Sequence, residues 1–571
     1  MMRWLTKLFA KLVEYMIIAL TVGAVALLII ENTTVGAHHR HLFTQANLAL
    51  YTLFSMDVLI RLLISPDRKA HFGRFGYELL VLLPWLTCIY DATHAPWAVS
   101  LRMLVLTALL VSRAKKDYHL MILFTLQPAR TMVVSFMFTI MIGTVLLMLP
   151  AATQAGIHMP FVDALFTATS ATCVTGLAVV DVGTYLSRFG QIVLATLIQV
   201  GGLGVMTFSA SMAYLLRRKG NMRGDSMLQS ALDTNTISEL KTLVTFIIAM
   251  TFAIEGGGML ALAFKWHGVA PGCGTIPGAL YQAGFHSVSA FCNAGFSTFP
   301  DNLMSFTSDG FTLTVIMLLI IFGGLGFIVI MDLLKYGRHL LNPRNTRRPQ
   351  LRLQTRMVLP MTLILIFAGA ALLYLFERNT SLAPLAMKDR IFAALFQSVT
   401  ARTAGFNSVN IGLLTPVSTM ILIVLMFIGA SPGSTGGGVK TTTVVTLWAA
   451  ISAHLRRREH VQLFNRTLPT ETVLKAGYVV ILSLVVTTIT VLMVTLTNKQ
   501  DPLNIIFESV SAFGTVGLSR GITPLLDDSG KLWLTLLMFI GRVGVLSLAY
   551  SLANTRKPAQ YEYAQERVMI G

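Results

Sequence analysis

The sequence predicts an all-α polytopic membrane protein: four tandem helix–loop–helix repeats about a central axis, preceded by a four-helix transmembrane bundle. Three observations predict it. The apolar fraction is 54% and the charged fraction 12%, about half the charge of a soluble domain. Apolar segments of the ~20 residues a bilayer span needs recur along all 571 residues; they lack the alternation of a membrane β-barrel. One short pattern also occurs four times, at Phe166–Leu177, Phe285–Phe296, Phe396–Phe406 and Phe507–Leu518. Each copy opens with Phe, runs through Ser and Thr, and closes on Gly plus a bulky apolar residue.

The N-terminal 125 residues read as four helices, Tyr15–Ile30, Leu48–Leu63, Tyr77–Tyr90 and Trp97–Ser112. Arg3, Lys7 and Lys11 before an apolar run resemble a signal peptide, but the chain stays apolar afterwards, so a first membrane helix is expected. The second and third helices resemble those of voltage-sensor domains, with Glu78 at a position where an acid is common. A working sensor needs arginines at every third position of its fourth helix. Stepping from Arg102 gives Val105, Ala108 and Val111, and Arg113 is off register. The bundle is either a sensor-like one without its charges or an unrelated one, and it is expected not to sense voltage.

Each copy of the repeated pattern lies between two long apolar segments. The pairs are Met132–Pro150 and Gln191–Leu215, Leu243–Phe264 and Phe311–Leu334, Met357–Phe376 and Thr419–Trp448, and Val473–Thr497 and Leu532–Ala553. This divides the chain after the bundle (1–125) into repeats 126–230, 231–345, 346–465 and 466–571. The terminal glycines, Gly176, Gly295, Gly405 and Gly517, are 110 to 119 residues apart, and the third copy is one residue shorter. The short helix inside each copy cannot span, so it enters and leaves from one face. The net charge of +18 could suggest nucleic acid in a soluble protein. Here Lys335, Arg338, Arg344, Arg347, Arg348, Arg352 and Arg356 share one loop with no acid, and Arg217–Lys219 and Arg456–Arg458 cluster likewise. Basic loops remain in the cytoplasm, so the re-entrant loops face outside and no nucleic-acid partner is implied.

Non-helical backbone at membrane depth survives only where it lines a watery path or is buried in protein. Four such loops meeting on an axis would make a ring of carbonyl oxygens able to replace an ion's hydration shell. The C-terminal dipoles of the short helices would favour a cation there. Cys88, Cys173, Cys273 and Cys292 show neither disulfide nor metal-ligand spacing.

The motifs VTGL, CNAGF, RTAGF and TVGL resemble those of the Trk/Ktr/HKT superfamily of potassium transporters, from about Arg130 onward. The resemblance implies a helix–pore-loop–helix membrane subunit with potassium as substrate. Its selectivity filter would be Val174, Thr175 and Gly176; Asn293, Ala294 and Gly295; Thr403, Ala404 and Gly405; Thr515, Val516 and Gly517. Glycine at all four closing positions favours potassium over sodium. The resemblance also implies a homodimer in the plasma membrane, a bacterial inner membrane, and a separate cytosolic ring as regulatory partner. Nucleotide is expected only on that partner, and no covalent cofactor is expected.

The stretch Gly429–Gly438 interrupts an apolar helix with Gly, Ser and Thr. It approaches a Walker loop, but Val439 intrudes before Lys440, so a phosphate cradle is not predicted. Five glycines and a proline cannot hold a helix. A polar, flexible segment below the filter reads as a gate, with Gly433, Gly436, Gly437 and Gly438 as gate residues. The matching helices carry milder breaks at Gly201–Gly204, Gly323–Gly326 and Gly541–Gly544. Arg542, deep in the last of these, is expected to face the pore and hold the stretch, since a cation at that depth is costly and usually functional. Arg402 and Glu508 are expected in structural pairings behind the filter, and Glu255, beside the glycine run Gly256–Gly258, near the outer end of its helix. Asp181 and Asp301 either concentrate cations at the mouth or are ordinary loop residues. An enzyme or nucleotide-driven pump finds no motif here. An inverted-repeat carrier conflicts with four repeats of one orientation. Ion-coupled symport within the same family is the alternative to a simple channel-like path.

Overall fold

The computed structural model describes residues 24, 27, 40–64, 82–84, 102, 105, 128–217, 237–341 and 350–552. Helix α1 (Arg40–Ile64) covers the second predicted bundle helix and begins eight residues before the predicted Leu48. The other three bundle helices, Glu78 and Arg113 lie outside the described residues, apart from the helical residues 24, 27, 82–84, 102 and 105.

From Pro128 onward one order of elements recurs: a long helix, a short helix, a Gly-ended loop and a broken helix. The first unit is α2 (Pro128–Leu147), α3 (Phe161–Thr172) and α4 (Arg188–Arg217). The second is α5 (Ile237–Trp266), α6 (Ile276–Phe291) and the pair α7 (Gly310–Leu325) and α8 (Phe327–Leu341). The third is α9 (Leu353–Glu377), α10 (Met387–Thr400), α11 (Pro416–Phe427) and α12 (Thr441–Leu455). The fourth is α13 (Thr470–Thr497), α14 (Pro502–Gly514), α15 (Asp528–Val543) and α16 (Val545–Leu552). A two-stranded hairpin, Gln462–Leu463 with Arg466–Thr467, joins the last two units.

Among the described residues three helices are long and apolar enough to cross a bilayer: Thr245–Trp266, Leu353–Glu377 and Thr470–Thr497. The pair α7–α8 would be a fourth, bent by 104°. The short helices have 12 to 16 residues, about 18–24 Å at 1.5 Å per residue, less than the ~30 Å hydrocarbon core. They are buried nonetheless, with Phe166, Phe396 and Phe507 at 0% exposure. The Phe that opens each sequence copy is therefore a packing residue.

The units are arranged cyclically. Each short helix packs on the first helix of its own unit. The broken helix of one unit packs on the short helix of the next: α4 on α6, α7 on α10, and α11 on α14. Helix α15 of the fourth unit returns to α3 of the first.

All four second helices break at the same level. Gly204 (φ 68°) kinks α4, Gly326 (φ 89°) separates α7 from α8, and Gly544 (φ 90°) separates α15 from α16. These left-handed conformations are open to glycine and costly for other residues. The sequence treats the break at Gly323–Gly326 as mild; its 104° bend corrects that. In the third unit the break widens to the whole span between Phe427 and Thr441.

Candidate functional site

The four short helices end at adjoining loops. Val174, Asn293, Thr403 and Thr515 have φ of 57°, 61°, 75° and 50°. Gly176, Gly295, Gly405 and Gly517, two residues later, have φ of 91°, 66°, 80° and 92°. Thr175, Ala294, Ala404 and Val516, between them, keep negative φ. Such alternation of handedness aligns successive peptide groups, and four side-chain-bearing residues held at positive φ are a cost that the surrounding structure must enforce.

Part of that enforcement is a hydroxyl at the fifth position of every copy. Ser170 Oγ accepts from Gly176 N at 3.1 Å, and Ser511 Oγ from Gly517 N at 3.1 Å. Ser289 Oγ donates to Phe296 O at 2.8 Å, and Thr400 Oγ1 to Phe406 O at 2.7 Å. The carbonyls of Ser170, Ser289 and Ser511 also accept from the residue before each closing glycine, and that of Thr400 from Ala404. These hydroxyls escaped the sequence reading, although Ser or Thr recurs at that place in each copy.

The loops touch one another in a closed cycle. A Cβ placed on Gly176 would meet the carbonyl oxygen of Ala294; on Gly295, that of Ala404; on Gly405, that of Val516; on Gly517, that of Thr175. Each glycine thus stands against the residue preceding the glycine of the next unit. Among the described residues no hydrogen-bond donor reaches those four carbonyl oxygens. Buried carbonyls are rarely left unmatched. A ring of oxygens held apart from protein donors is chemically suited to a dehydrated monovalent cation.

The stretch Gly429–Lys440 lies directly against this ring. Its two ends are joined, Gly429 N donating to Val439 O at 2.9 Å, and its interior is held by Phe327 N, which donates to Gly433 O at 3.1 Å. Ser431 N and Thr435 N donate to Gly324 O and Gly323 O of the second unit, and Thr435 Oγ1 to Phe291 O. Gly437 N donates to Thr515 Oγ1 at 2.9 Å. Arg542 comes in from the fourth unit. Its Nη1 donates to Thr435 O and its Nη2 to Gly201 O of the first unit. Gly433 and Gly438 have φ of 74° and 69°. Gly436 and Gly437 stand where a Cβ would strike Thr403 and Thr515.

Lys440 was passed over in sequence as a lysine one place late for a phosphate loop. Its Nζ donates to Gly436 O at 2.6 Å and to Gly437 O at 3.5 Å, closing the stretch on itself.

Other predicted residues land as follows. Glu255 is not near the outer end of its helix. It lies 11 residues before Trp266, 5% exposed, with Oε2 accepting from Gln199 Nε2 at 3.2 Å and Oε1 facing Cys292 Sγ at 3.7 Å. It is a mid-helix group beside the second loop, and the Gly256–Gly258 run that suggested a helix end is ordinary helix. Glu508 accepts from Ser519 Oγ, Arg520 N and Thr523 Oγ1, and Arg402 Nη2 reaches Thr362 Oγ1 at 3.5 Å. Asp181 caps a helical turn through Gly183 N at 2.7 Å, and Asp301 accepts from Ser305 N at 2.8 Å. Cys173, Cys273 and Cys292 are free and buried.

The chain matches the family model TrkH, "Cation transport protein", over residues 101–560. It is 38% identical over 446 residues to Ktr system potassium uptake protein B of Bacillus subtilis, covering 78% of this chain and 97% of that protein. It is 36% identical over 454 residues to potassium/sodium uptake protein NtpJ of Enterococcus hirae, covering 78% and 98%. Among solved structures, the crystal structure of the potassium transporter TrkH from Vibrio parahaemolyticus superposes with a TM-score of 0.58 at 18% identity, covering 84% of this chain and 96% of that one.

Proposed function

Because this chain belongs to the TrkH family of cation transport proteins, we propose that it is the membrane subunit of a potassium uptake system with a channel-like path. The four units are pore repeats, with boundaries at 126–230, 231–345, 346–465 and 466–571, behind the bundle 1–125. The observation that carries this reading is the closed cycle of Gly176, Gly295, Gly405 and Gly517 with its four unmatched carbonyls. These carbonyls, with those of Val174, Asn293, Thr403 and Thr515, form the selectivity filter. The stretch Gly429–Gly438, held by Arg542, is the gate. The relatives named as Ktr system proteins support a multi-component system. The cytosolic nucleotide-binding ring, the homodimer and the bacterial inner membrane belong to this proposal.

The test is rescue of a potassium-uptake-deficient bacterium by the full chain, followed by flux measurement in reconstituted vesicles with potassium, rubidium, sodium and lithium. Rescue with potassium and rubidium carried well ahead of sodium and lithium is expected. Equal flux of all four ions overturns the filter. The similarity to a potassium/sodium uptake protein favours a second reading, in which a sodium gradient drives the potassium. Potassium accumulation against its gradient, abolished when sodium is withdrawn, selects that reading.

A further inference from the structure

We propose that the Gly-rich stretch is latched onto the filter itself, through the hydroxyls of Thr515 and Thr403, so that an ion at the near end of the filter and closure of the stretch exclude one another. The inference rests on the filter reading above and adds a link between filter and gate.

In the third and fourth units the residue that opens the loop lies against the stretch. In both it is a threonine. Gly437 N donates to Thr515 Oγ1 at 2.9 Å. The Cα of Gly436 lies so close to Thr403 that an added Cβ would strike Oγ1, and Gly437 has the same relation to Thr515. Only residues without a side chain let the backbone press this close. Asn293, the equivalent residue of the second unit, is best satisfied with its amide nitrogen on Ala290 O at 3.0 Å and Ile320 O at 3.2 Å, and its oxygen accepting from Thr403 Oγ1 at 3.1 Å. Three of the four opening side chains are thus tied to the stretch or to one another. The fourth, Val174, has no polar atom to offer.

A hydroxyl oxygen has two lone pairs. At Thr515 one is taken by the Gly437 N–H, and at Thr403 the Gly436 backbone fills the space beside the oxygen. A cation ligated by these oxygens from the side of the stretch needs both contacts released. Occupancy and closure therefore compete for the same atoms. By reciprocity, an ion that releases the latch is weakened by it to the same degree. Entry of potassium into the near end of the filter then favours opening.

The experiment uses the full chain in vesicles without any cytosolic partner. Ser434→Cys marks the stretch, and its labelling by a water-soluble thiol reagent is read at that residue by mass spectrometry, so the native cysteines do not interfere. Labelling is expected to rise with potassium, at constant ionic strength, and not with sodium. Thr515→Val removes the hydroxyl while keeping the shape, and Val174 shows that this backbone position carries valine. In Thr515→Val, partner-free potassium flux is expected to rise about fivefold, the population shift of one lost hydrogen bond. Its labelling should be high and independent of potassium. Thr515→Ser, which keeps the hydroxyl, should restore labelling that rises with potassium. If the parent shows potassium-selective flux but labelling ignores potassium and Thr515→Val stays as closed as the parent, the latch is overturned and the filter stands. If the parent shows no preference for potassium over sodium in either readout, the filter reading itself fails.

Discussion

At the scale of single residues, the site depends on backbone that side chains would spoil. Gly176 has φ 91° and faces the carbonyl of Ala294. Gly176→Ser is both strained, by about 1–2 kcal/mol, and in collision with the carbonyl oxygen of Ala294. Its expected outcome is at least a tenfold fall in the potassium-to-sodium flux ratio, measured in vesicles; an unchanged ratio in well-expressed protein removes this loop from the filter. Arg542 bridges Thr435 of the third unit and Gly201 of the first with the two arms of one guanidinium. A charged hydrogen bond is worth about 1.5–3 kcal/mol, so Arg542→Ala should raise partner-free potassium flux tenfold or more with the ion preference unchanged. Arg542→Lys keeps the charge but not the fork and should fall between. The glycines and Arg542 were legible in sequence because each is anomalous where it stands. Lys440 carries no such local signal: its bonds to Gly436 O and Gly437 O depend on how the stretch folds back. Glu255 was misplaced because a run of glycines looks like a helix end on paper, and α5 carries it without a break.

At the scale of elements, the shared feature is a second helix broken beneath the loop. Gly326 separates α7 from α8 at φ 89°, and a Cβ there would meet Pro432 O of the Gly-rich stretch. Gly337, one helix later, has nothing within 4 Å and no left-handed φ. Gly326→Ala should therefore lower the melting temperature. Gly337→Ala should hold or raise it, since alanine in a helix is better than glycine by about 0.5–1 kcal/mol. Thermal unfolding in detergent compares the two; equal shifts would remove the break from the list of required features. The repeated helices and the third unit's long interruption were legible, because apolar length and clustered glycine are local signals. The 104° bend between α7 and α8 was not, since the same four residues, Gly-Gly-Leu-Gly, also occur in α4, and the contacts of Gly326 and Phe327 with the stretch come from far along the chain.

At the scale of the whole molecule, three seams join units that follow each other in the chain, and one joins the fourth to the first. That last seam carries an ion pair, Lys531 Nζ to Asp163 Oδ1 at 2.7 Å, with side chains 12% and 19% exposed. It ties α15 to the first turn of α3. The exposed pair Lys475–Glu471 offers a comparison, at 48% and 76%; pairs of that kind are worth about 0.3–0.5 kcal/mol. Lys531→Met should cost about 1.5–3 kcal/mol and Lys475→Met almost nothing, read as melting temperature in the same detergent. The exchange Asp163→Lys with Lys531→Asp should recover part of the loss. This contact joins residues 368 positions apart, and neither residue announces it locally, so the sequence could predict the ring without predicting what closes it. The cycle of glycines and carbonyls runs in one direction, from Gly176 to Ala294, Gly295 to Ala404, Gly405 to Val516 and Gly517 to Thr175. Damage at one glycine therefore falls on the following unit. Selecting revertants of a Gly405 variant for restored growth at low potassium should return second-site suppressors near Val516, and revertants of a Gly517 variant should cluster near Thr175. A genetic map compiled this way would wind round the ring in chain order and close on its own beginning. Suppressors confined to the mutated unit would mean that the four loops act separately.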